Sequence, residues 1–264
     1  MTTPTRILLC GATGRMGRTV ADLLAGDSAF QLVGGLDRDE VAGREGPGGL
    51  PLASLADAAE VLAETDVVID FSAPAFLSRL LDQYGDVLAG RALVVGTTGL
   101  DAAGEAALDR VAARSAVLRA ANFSVGVNLL AALVEQAAAV LGPEFDVEIV
   151  EAHHRRKEDA PSGTALALGE AVAAGRQVSL EDTRRDGRSG RPGKRPEGEI
   201  GFHALRGGDV IGEHTVHFIG DMERIELTHK AADRRLFAAG ALRAAAWMAG
   251  REPGRYSMRE VLGL

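Results

Sequence analysis

The amino-acid sequence predicts an α/β protein: a doubly wound parallel sheet, joined to a second, α+β domain built on a four-stranded, mainly antiparallel sheet. Three observations carry this expectation. Between Arg6 and Ala120, short apolar runs alternate with stretches of helical periodicity, the order of a parallel sheet connected by helices. The first apolar run stops at a glycine cluster that opens a helix. Beyond Phe145, strands instead follow one another across tight glycine turns.

Taken in order, Arg6 to Cys10 is apolar and runs into Gly11-Ala12-Thr13-Gly14-Arg15-Met16-Gly17, after which Val20, Leu23 and Leu24 recur at helical spacing. The spacing is G-x-x-G-x-x-G rather than G-x-G-x-x-G, but the physical requirement is shared. Glycine permits a tight turn and lets backbone approach a pyrophosphate at a helix N-terminus. A glycine-rich turn without a ligand has the same sequence appearance. The second strand, Gln31 to Leu36, ends in Asp37, twenty residues after Gly17, where Rossmann-like sheets keep an acid for a ribose 2′-hydroxyl. Arg38 follows at once, and a guanidinium there suits the 2′-phosphate of NADP. Acid and base favour different cofactors, so NADH and NADPH both stay open.

A Gly/Pro-rich loop, Gly43 to Pro51, leads to a helix from Ser54 to Glu64 and the strand Asp66 to Phe71. Ser72-Ala73-Pro74 opens the next helix, with proline in an early position. The strand Ala92 to Val95 runs into Gly96-Thr97-Thr98-Gly99; a helix spans Asp101 to Arg114, and the strand Ala116 to Ala120 ends in Ala121-Asn122-Phe123-Ser124. Ligands of such sheets bind beyond the carboxyl ends of the strands. Gly11 to Met16, Asp37, Gly96 to Thr98 and Ala120 to Phe123 are therefore expected to face one crevice, with Thr97 and Asn122 toward a nicotinamide. Ordinary turn and cap chemistry is the alternative for those two.

The pattern changes after a helix from Gly126 to Leu141. Phe145 to His153 reads as a strand, a helix begins near Ser162, and Arg184 to Pro196 reads as a long mobile loop. Glu199 to Leu205, Val210 to Phe218 and Met222 to Lys230 read as strands of an antiparallel meander. Apolar residues on both faces of this sheet (Val210, Val216 and Phe218 against Ile211) call for two covers, so a homo-oligomer is expected. A last helix, Asp233 to Met248, and the tail return to the first domain. The expected division is 1–124 plus 234–264 for dinucleotide binding and 125–233 for substrate binding and oligomerisation.

The 264 residues are 46% hydrophobic and 25% charged, enough for a core that folds without disulfides. A net charge of −8 disfavours a nucleic-acid partner. The single cysteine, Cys10, lies among Ile7, Leu8 and Leu9 and reads as a buried small hydrophobe; with no disulfide possible, a reducing cytoplasm is the expected setting. No targeting signal is evident, and no apolar run is expected to reach the roughly 18 residues of a membrane span.

Chemistry concentrates in Glu151 to Ala165. His153, His154, Arg155, Arg156 and Lys157 are followed by Pro161, Ser162, Gly163 and Thr164, the punctuation of a helix start. A helix N-terminus offers free amides and a positive dipole end to a carboxylate or phosphate. Anion binding and proton donation thus come together, as a doubly negative small molecule would need. A solvated charge run neutralised by Glu158 and Asp159 is the plainer reading. A metal site is disfavoured, since His153 and His154 point apart in an extended chain and no Cys or H-E-x-x-H accompanies them. His203, His214, His217 and His229 read as structural or interface histidines.

Glu151-Ala-His-His-Arg-Arg-Lys157, Asp159-Ala-Pro-Ser-Gly-Thr-Ala165, Gly11 to Gly17, Gly96-Thr-Thr-Gly99, Ala121 to Asn128 and Gly212-Glu-His214 together resemble the 4-hydroxy-tetrahydrodipicolinate reductase family. The resemblance covers essentially the whole chain. It implies an NAD(P)H-dependent reductase of lysine and diaminopimelate biosynthesis, in which hydride reaches a cyclic, unsaturated dicarboxylate with loss of water. It also implies His153 as proton donor or acceptor, Lys157 as a second proton donor, and His154 as a substrate contact. Gly163 and Thr164 are to hold a substrate carboxylate, in a cytoplasmic homotetramer. The chemistry agrees: reducing a double bond conjugated to a carboxylate needs a proton at the adjacent atom, which histidine can supply. Another two-domain NAD(P) oxidoreductase would lack the His-His-x-x-Lys stretch, and a non-catalytic dinucleotide sensor has no use for proton donors beside an anion cradle.

Overall fold

The apolar runs of the first half form a parallel sheet in the computed structural model, which describes residues 3–264. The chain divides into two units, one running up to Ser124 and resuming at Arg235–Leu264, the other Val125–Arg234. The first unit contains β1 (Thr5–Cys10), α1 (Arg15–Leu24), β2 (Phe30–Leu36), β3 (Leu52–Ala53), α2 (Ala58–Ala63), β4 (Val67–Asp70), α3 (Pro74–Tyr84), β5 (Ala92–Val95), α4 (Ala102–Ala112) and β6 (Ala116–Arg119). Strands lie in the order β6-β5-β4-β1-β2-β3. Side chains alternate across the pleat, so Ile7 and Leu9 enter one apolar cluster while Leu8 and Cys10 enter another on the opposite face. Both faces are covered, as continuous apolar strands require. The chain winds from β1 outward to β3, then crosses to β4 on the other side of β1, which makes the β1/β4 boundary the switch point of the sheet.

The second unit contains α5 (Val125–Leu141), β7 (Asp146–His153), α6 (Gly163–Arg176), α7 (Leu180–Thr183), β8 (Arg184–Asp186), β9 (Ile200–Arg206), β10 (Glu213–Ile219) and β11 (Arg224–Lys230). Its sheet has five strands in the order β11-β10-β7-β9-β8, not the four expected, and it is mixed rather than mainly antiparallel. β7 pairs parallel with β9, and β8 with β9, while β10 is antiparallel to both β7 and β11. Only β10 and β11 form a hairpin; β9 and β10, expected as neighbours in a meander, flank β7. Glycine turns are local signals and do not specify which edge a strand joins.

The stretch expected as a loose loop is also tied down. Arg184–Asp186 pairs as an edge strand, and Arg188 and Arg195 reach Glu148 at 2.9 and 3.0 Å. Gly201 makes room for that carboxylate, since a Cβ there would fall 1.8 Å from Glu148 Oε2. Burial opposes the Glu148 charge, yet Arg188, His203 and Arg195 together hold its pKa at about 2.

Along β7 every second residue is buried, which turns Val147, Ile149, Glu151 and His153 to one side. Val147 and Ile149 join Ile200, Phe202, Val216 and Phe218 in a core closed by α5 and α6. The opposite side mixes Glu148, Thr215 and His217 with apolar Val150, Leu205 and Ile219, the last two exposed, while Val210 and Ile211 precede β10 and both Val216 and Phe218 turn inward. The apolar residues left on that outer face are thus Val150, Leu205 and Ile219 rather than Val210 and Ile211. Within Val125–Glu144 the chain is, by length and composition, apolar enough to cross a membrane, contrary to the sequence expectation. Its Leu130, Val134 and Ala138 lie in the core, as a helix of a globular unit places them.

The tail returns to the first unit as α8 (Arg235–Met248), β12 (Gly254–Tyr256) and α9 (Met258–Leu262), with β12 adding a seventh parallel strand beside β6.

Candidate active site

In the first unit three strand ends converge on Phe71. Gly11 has φ +71°, and a Cβ there would sit 2.5 Å from the Phe71 carbonyl oxygen. A Cβ at Gly96 would fall 2.1 Å from the Phe71 ring, whose edge meets Phe123 with centroids 5.7 Å apart. Gly11, Gly96 and Phe123, expected in one crevice, are thus brought together, around a phenylalanine that sequence reasoning passed over. Thr97 is buried and Thr98 exposed beside Gly96; Ala120 and Ala121 lead from β6 to Asn122, whose side-chain oxygen accepts from the Ser124 amide at 2.8 Å.

The Gly11–Gly17 turn leaves Gly14 and Arg15 exposed at the start of α1, with no side-chain cap and no acid in the first turn. Its free amides and missing Cβ atoms fit a dinucleotide pyrophosphate. Asp37 is used in part to hold this turn: Oδ2 accepts from the Thr13 amide and hydroxyl, both at 2.8 Å, and Oδ1 from the Arg38 amide at 2.8 Å. Three of roughly four acceptor positions are thereby engaged. The Arg38 side chain remains 74% exposed.

Beside the glycine turn, Asp70 is 1% exposed, and burial pushes its pKa up to about 6 despite its Ser72 hydrogen bonds. Asp70 Oδ2 and Thr97 Oγ1 complete no hydrogen bond of normal geometry, so what Thr97 adds is weaker than the Ser72 contact. The folded state therefore holds a proton that the unfolded chain, with an ordinary value of 3.8, releases. The stability this contributes is complete below about pH 4 and lost as pH rises through 6. Asp70→Asn is expected to match wild type near pH 4 and exceed it by about 2–3 kcal/mol at pH 8. Urea unfolding at the two pH values tests this; an equal difference at both would overturn it.

In the second unit the inward row of β7 passes from apolar core to Glu151 and His153, and that of β10 from Phe218 and Val216 to His214. His153 is 8% exposed, and its Nδ1 lies 2.6 Å from Glu151 Oε2. The His214 ring meets His153 edge-on at 5.1 Å, and its Nε2 lies 2.9 Å from the Ser162 hydroxyl. Ser162 caps α6, accepting from the Ala165 amide. Burial, then the neighbouring His153, push the His214 pKa down to about 4.

The N-terminus of α6 is open. Gly163 is exposed, nothing lies within 4 Å of where its Cβ would be, and no acid occupies the first turn. Thr164 follows it. Lys157 holds Asp159 through both carboxylate oxygens at 2.9 Å. His154 has a pKa lowered first by desolvation, and its Nδ1 is buried without a partner. Among the described residues no group of three His, Cys, Asp or Glu is placed to hold a metal. Sequence reasoning passed over two groups next to His153: Glu151, a same-side neighbour two residues before it, and Arg206, whose guanidinium meets Glu151 at 2.7 Å only through strand pairing.

A glycine turn at the switch point of a parallel sheet, in one chain with a carboxylate-oriented histidine beside an open helix N-terminus, defines a two-domain nicotinamide-dependent oxidoreductase. Comparison narrows this class. Residues 5–123 match the family described as dihydrodipicolinate reductase, N-terminus, and residues 126–262 the corresponding C-terminus. Relatives named 4-hydroxy-tetrahydrodipicolinate reductase include one from Acidiphilium cryptum, 50% identical with 98% of each chain covered. Another, from Acinetobacter baumannii, is 47% identical over 100% of this chain and 98% of its own. The chain belongs to the dihydrodipicolinate reductase family. A dipicolinate-bound dihydrodipicolinate reductase from Paenisporosarcina sp. TG-14 shares the fold, with TM-score 0.77 at 21% identity over 97% of this chain and 98% of that one.

Proposed function

We infer that this protein reduces 4-hydroxy-tetrahydrodipicolinate to tetrahydrodipicolinate with loss of water, using NADH or NADPH, in lysine and diaminopimelate biosynthesis. The observation that carries the reading is the His153–Glu151 pair beside the open N-terminus of α6, in a chain matched by the family along nearly its whole length. Reduced nicotinamide, when bound, supplies the hydride. His153 delivers a proton through Nε2 to the atom next to the one reduced. Lys157 exchanges Asp159 for the substrate and offsets developing negative charge. The amides and hydroxyl of Gly163 and Thr164 hold a carboxylate, which orients the dianion, and His154 is a further contact. Gly11 to Met16, Asp37, Arg38, Gly96 to Thr98 and Ala120 to Phe123 hold the cofactor.

The test is oxidation of NADH or NADPH with substrate generated in place from pyruvate and aspartate semialdehyde by a coupled synthase. Rapid oxidation that requires the synthase product supports the reading; none with either cofactor, from a protein that binds them, refutes it. Arg38→Ala is expected to weaken NADPH about 10- to 100-fold, the scale of a hydrogen bond to a charged group, and NADH little. Equal effects on both cofactors would remove Arg38 from phosphate recognition.

The protein works in the cytoplasm as a homo-oligomer, a homotetramer built through the second unit. Support comes from the open edge of β11 and from Ile219, Met222 and Ile225 at the hairpin tip, exposed to 37%, 99% and 37%. Light scattering should return four times the chain mass, and Met222→Asp with Ile225→Asp should lower it. A wild-type monomer would overturn this assembly.

A further inference from the structure

We propose that Glu151 is a positioning residue for His153, and that Arg206 sets how much of its charge the imidazole feels. The proposal rests on the reading of His153 as the proton donor. The Glu151 side chain is 1% exposed and shared between three elements. Oε2 accepts from His153 Nδ1 at 2.6 Å and from an Arg206 guanidinium nitrogen at 2.7 Å. Oε1 accepts from the Ser162 amide at 3.1 Å and from the other Arg206 terminal nitrogen at 2.7 Å. A buried carboxylate is costly unless paired, and the two-pronged guanidinium provides that pairing. Burial opposes the Glu151 charge, but Arg206 and then His153 hold its carboxyl below the usual range.

Two consequences follow for the imidazole. With Nδ1–H given to Glu151, neutral His153 carries its proton on Nδ1, and imidazolium gives up the proton of Nε2. Gly212 keeps the Nε2 side clear: a Cβ there would stand 3.0 Å from that nitrogen. Histidine and guanidinium also compete for the same oxygen, since the parallel register sets Arg206 of β9 opposite His153 of β7. The remaining groups around His153 are His214 on β10, the Lys157–Asp159 pair and His154 in the turn that follows, and the Ser162 cap of α6. Glu151 alone is hydrogen-bonded to Nδ1.

Opposite-signed changes test this. The carboxylate stabilises the imidazolium, so Glu151→Gln should move the alkaline limb of kcat, where the donor deprotonates, about one unit or more to lower pH. It should also lower kcat at least about 10-fold with KM changed far less. Arg206→Gln, which frees the shared oxygen, should move the same limb to higher pH. A purely structural role predicts lost stability with the limb in place, and that result overturns the proposal. His153→Gln separates the two readings: a wild-type rate removes His153 as donor, whereas an impaired rate with both limbs unmoved removes Glu151 and Arg206 alone. Should either variant fold poorly, nitrogen NMR of the wild-type enzyme decides, with neutral His153 protonated on Nδ1 as expected and on Nε2 as the overturning result.

Discussion

Replacing His153 by glutamine is expected to lower turnover by about 10²–10⁴-fold, the scale of a lost general acid. Glutamine keeps a polar group of similar reach, and the surrounding contacts, Glu151 at Nδ1 and the edge-on ring of His214, tolerate a neutral side chain. What it lacks is a proton to release near neutral pH. The proposed reading assigns substrate holding to separate groups, the open N-terminus of α6 and Lys157, so KM should change far less than kcat. Cofactor affinity, which the proposed reading assigns to the first unit, should be unaltered. Steady-state rates with the coupled synthase, together with NADPH fluorescence titration, measure both; unchanged turnover would take His153 out of the mechanism.

Gly17→Ala is expected to weaken cofactor binding more than about 10-fold and to destabilise the first unit by about 1–3 kcal/mol or more. A Cβ at Gly17 would lie 2.2 Å from the Gly11 carbonyl oxygen and 2.9 Å from Ala12 Cα. Those atoms are backbone of the turn itself, so relief requires separating α1 from the glycine turn that would cradle the pyrophosphate. Gly11 has no slack, being at φ +71° and close against the Phe71 carbonyl. Gly26 supplies the control, because its Cβ would make only ordinary contact, 3.7 Å from the Leu23 carbonyl oxygen. Cofactor titration and urea unfolding of Gly17→Ala and Gly26→Ala should separate the two; wild-type behaviour of Gly17→Ala would show that the turn can open.

Much of this architecture is local and therefore legible in the chain. The glycine turn after β1 follows from residue chemistry within a few positions, as does the Pro74 start of α3 and the Ser162 cap of α6. The alternation that buries Ile7 and Leu9 on one face and Leu8 and Cys10 on the other is likewise a property of a continuous apolar run. His153 and Lys157 could be named as candidates because they lie in a cluster of basic residues shortly before a recognisable helix start.

Pairing was not local. Nothing in Ile200–Arg206 marks it as the parallel partner of β7 rather than the neighbour of β10, and that choice is what sets Arg206 against Glu151 and His153. The same holds for Arg188 and Arg195, which read as a loose basic stretch until Glu148, some forty residues away in sequence, accepts both. Local sequence accounts for most strands, turns and helix starts and for the kinds of groups present, but not for the edge strand Arg184–Asp186, which exists only through its pairing with β9. Tertiary structure alone decided which charges meet, because a buried carboxylate must find its cations wherever strand order brings them.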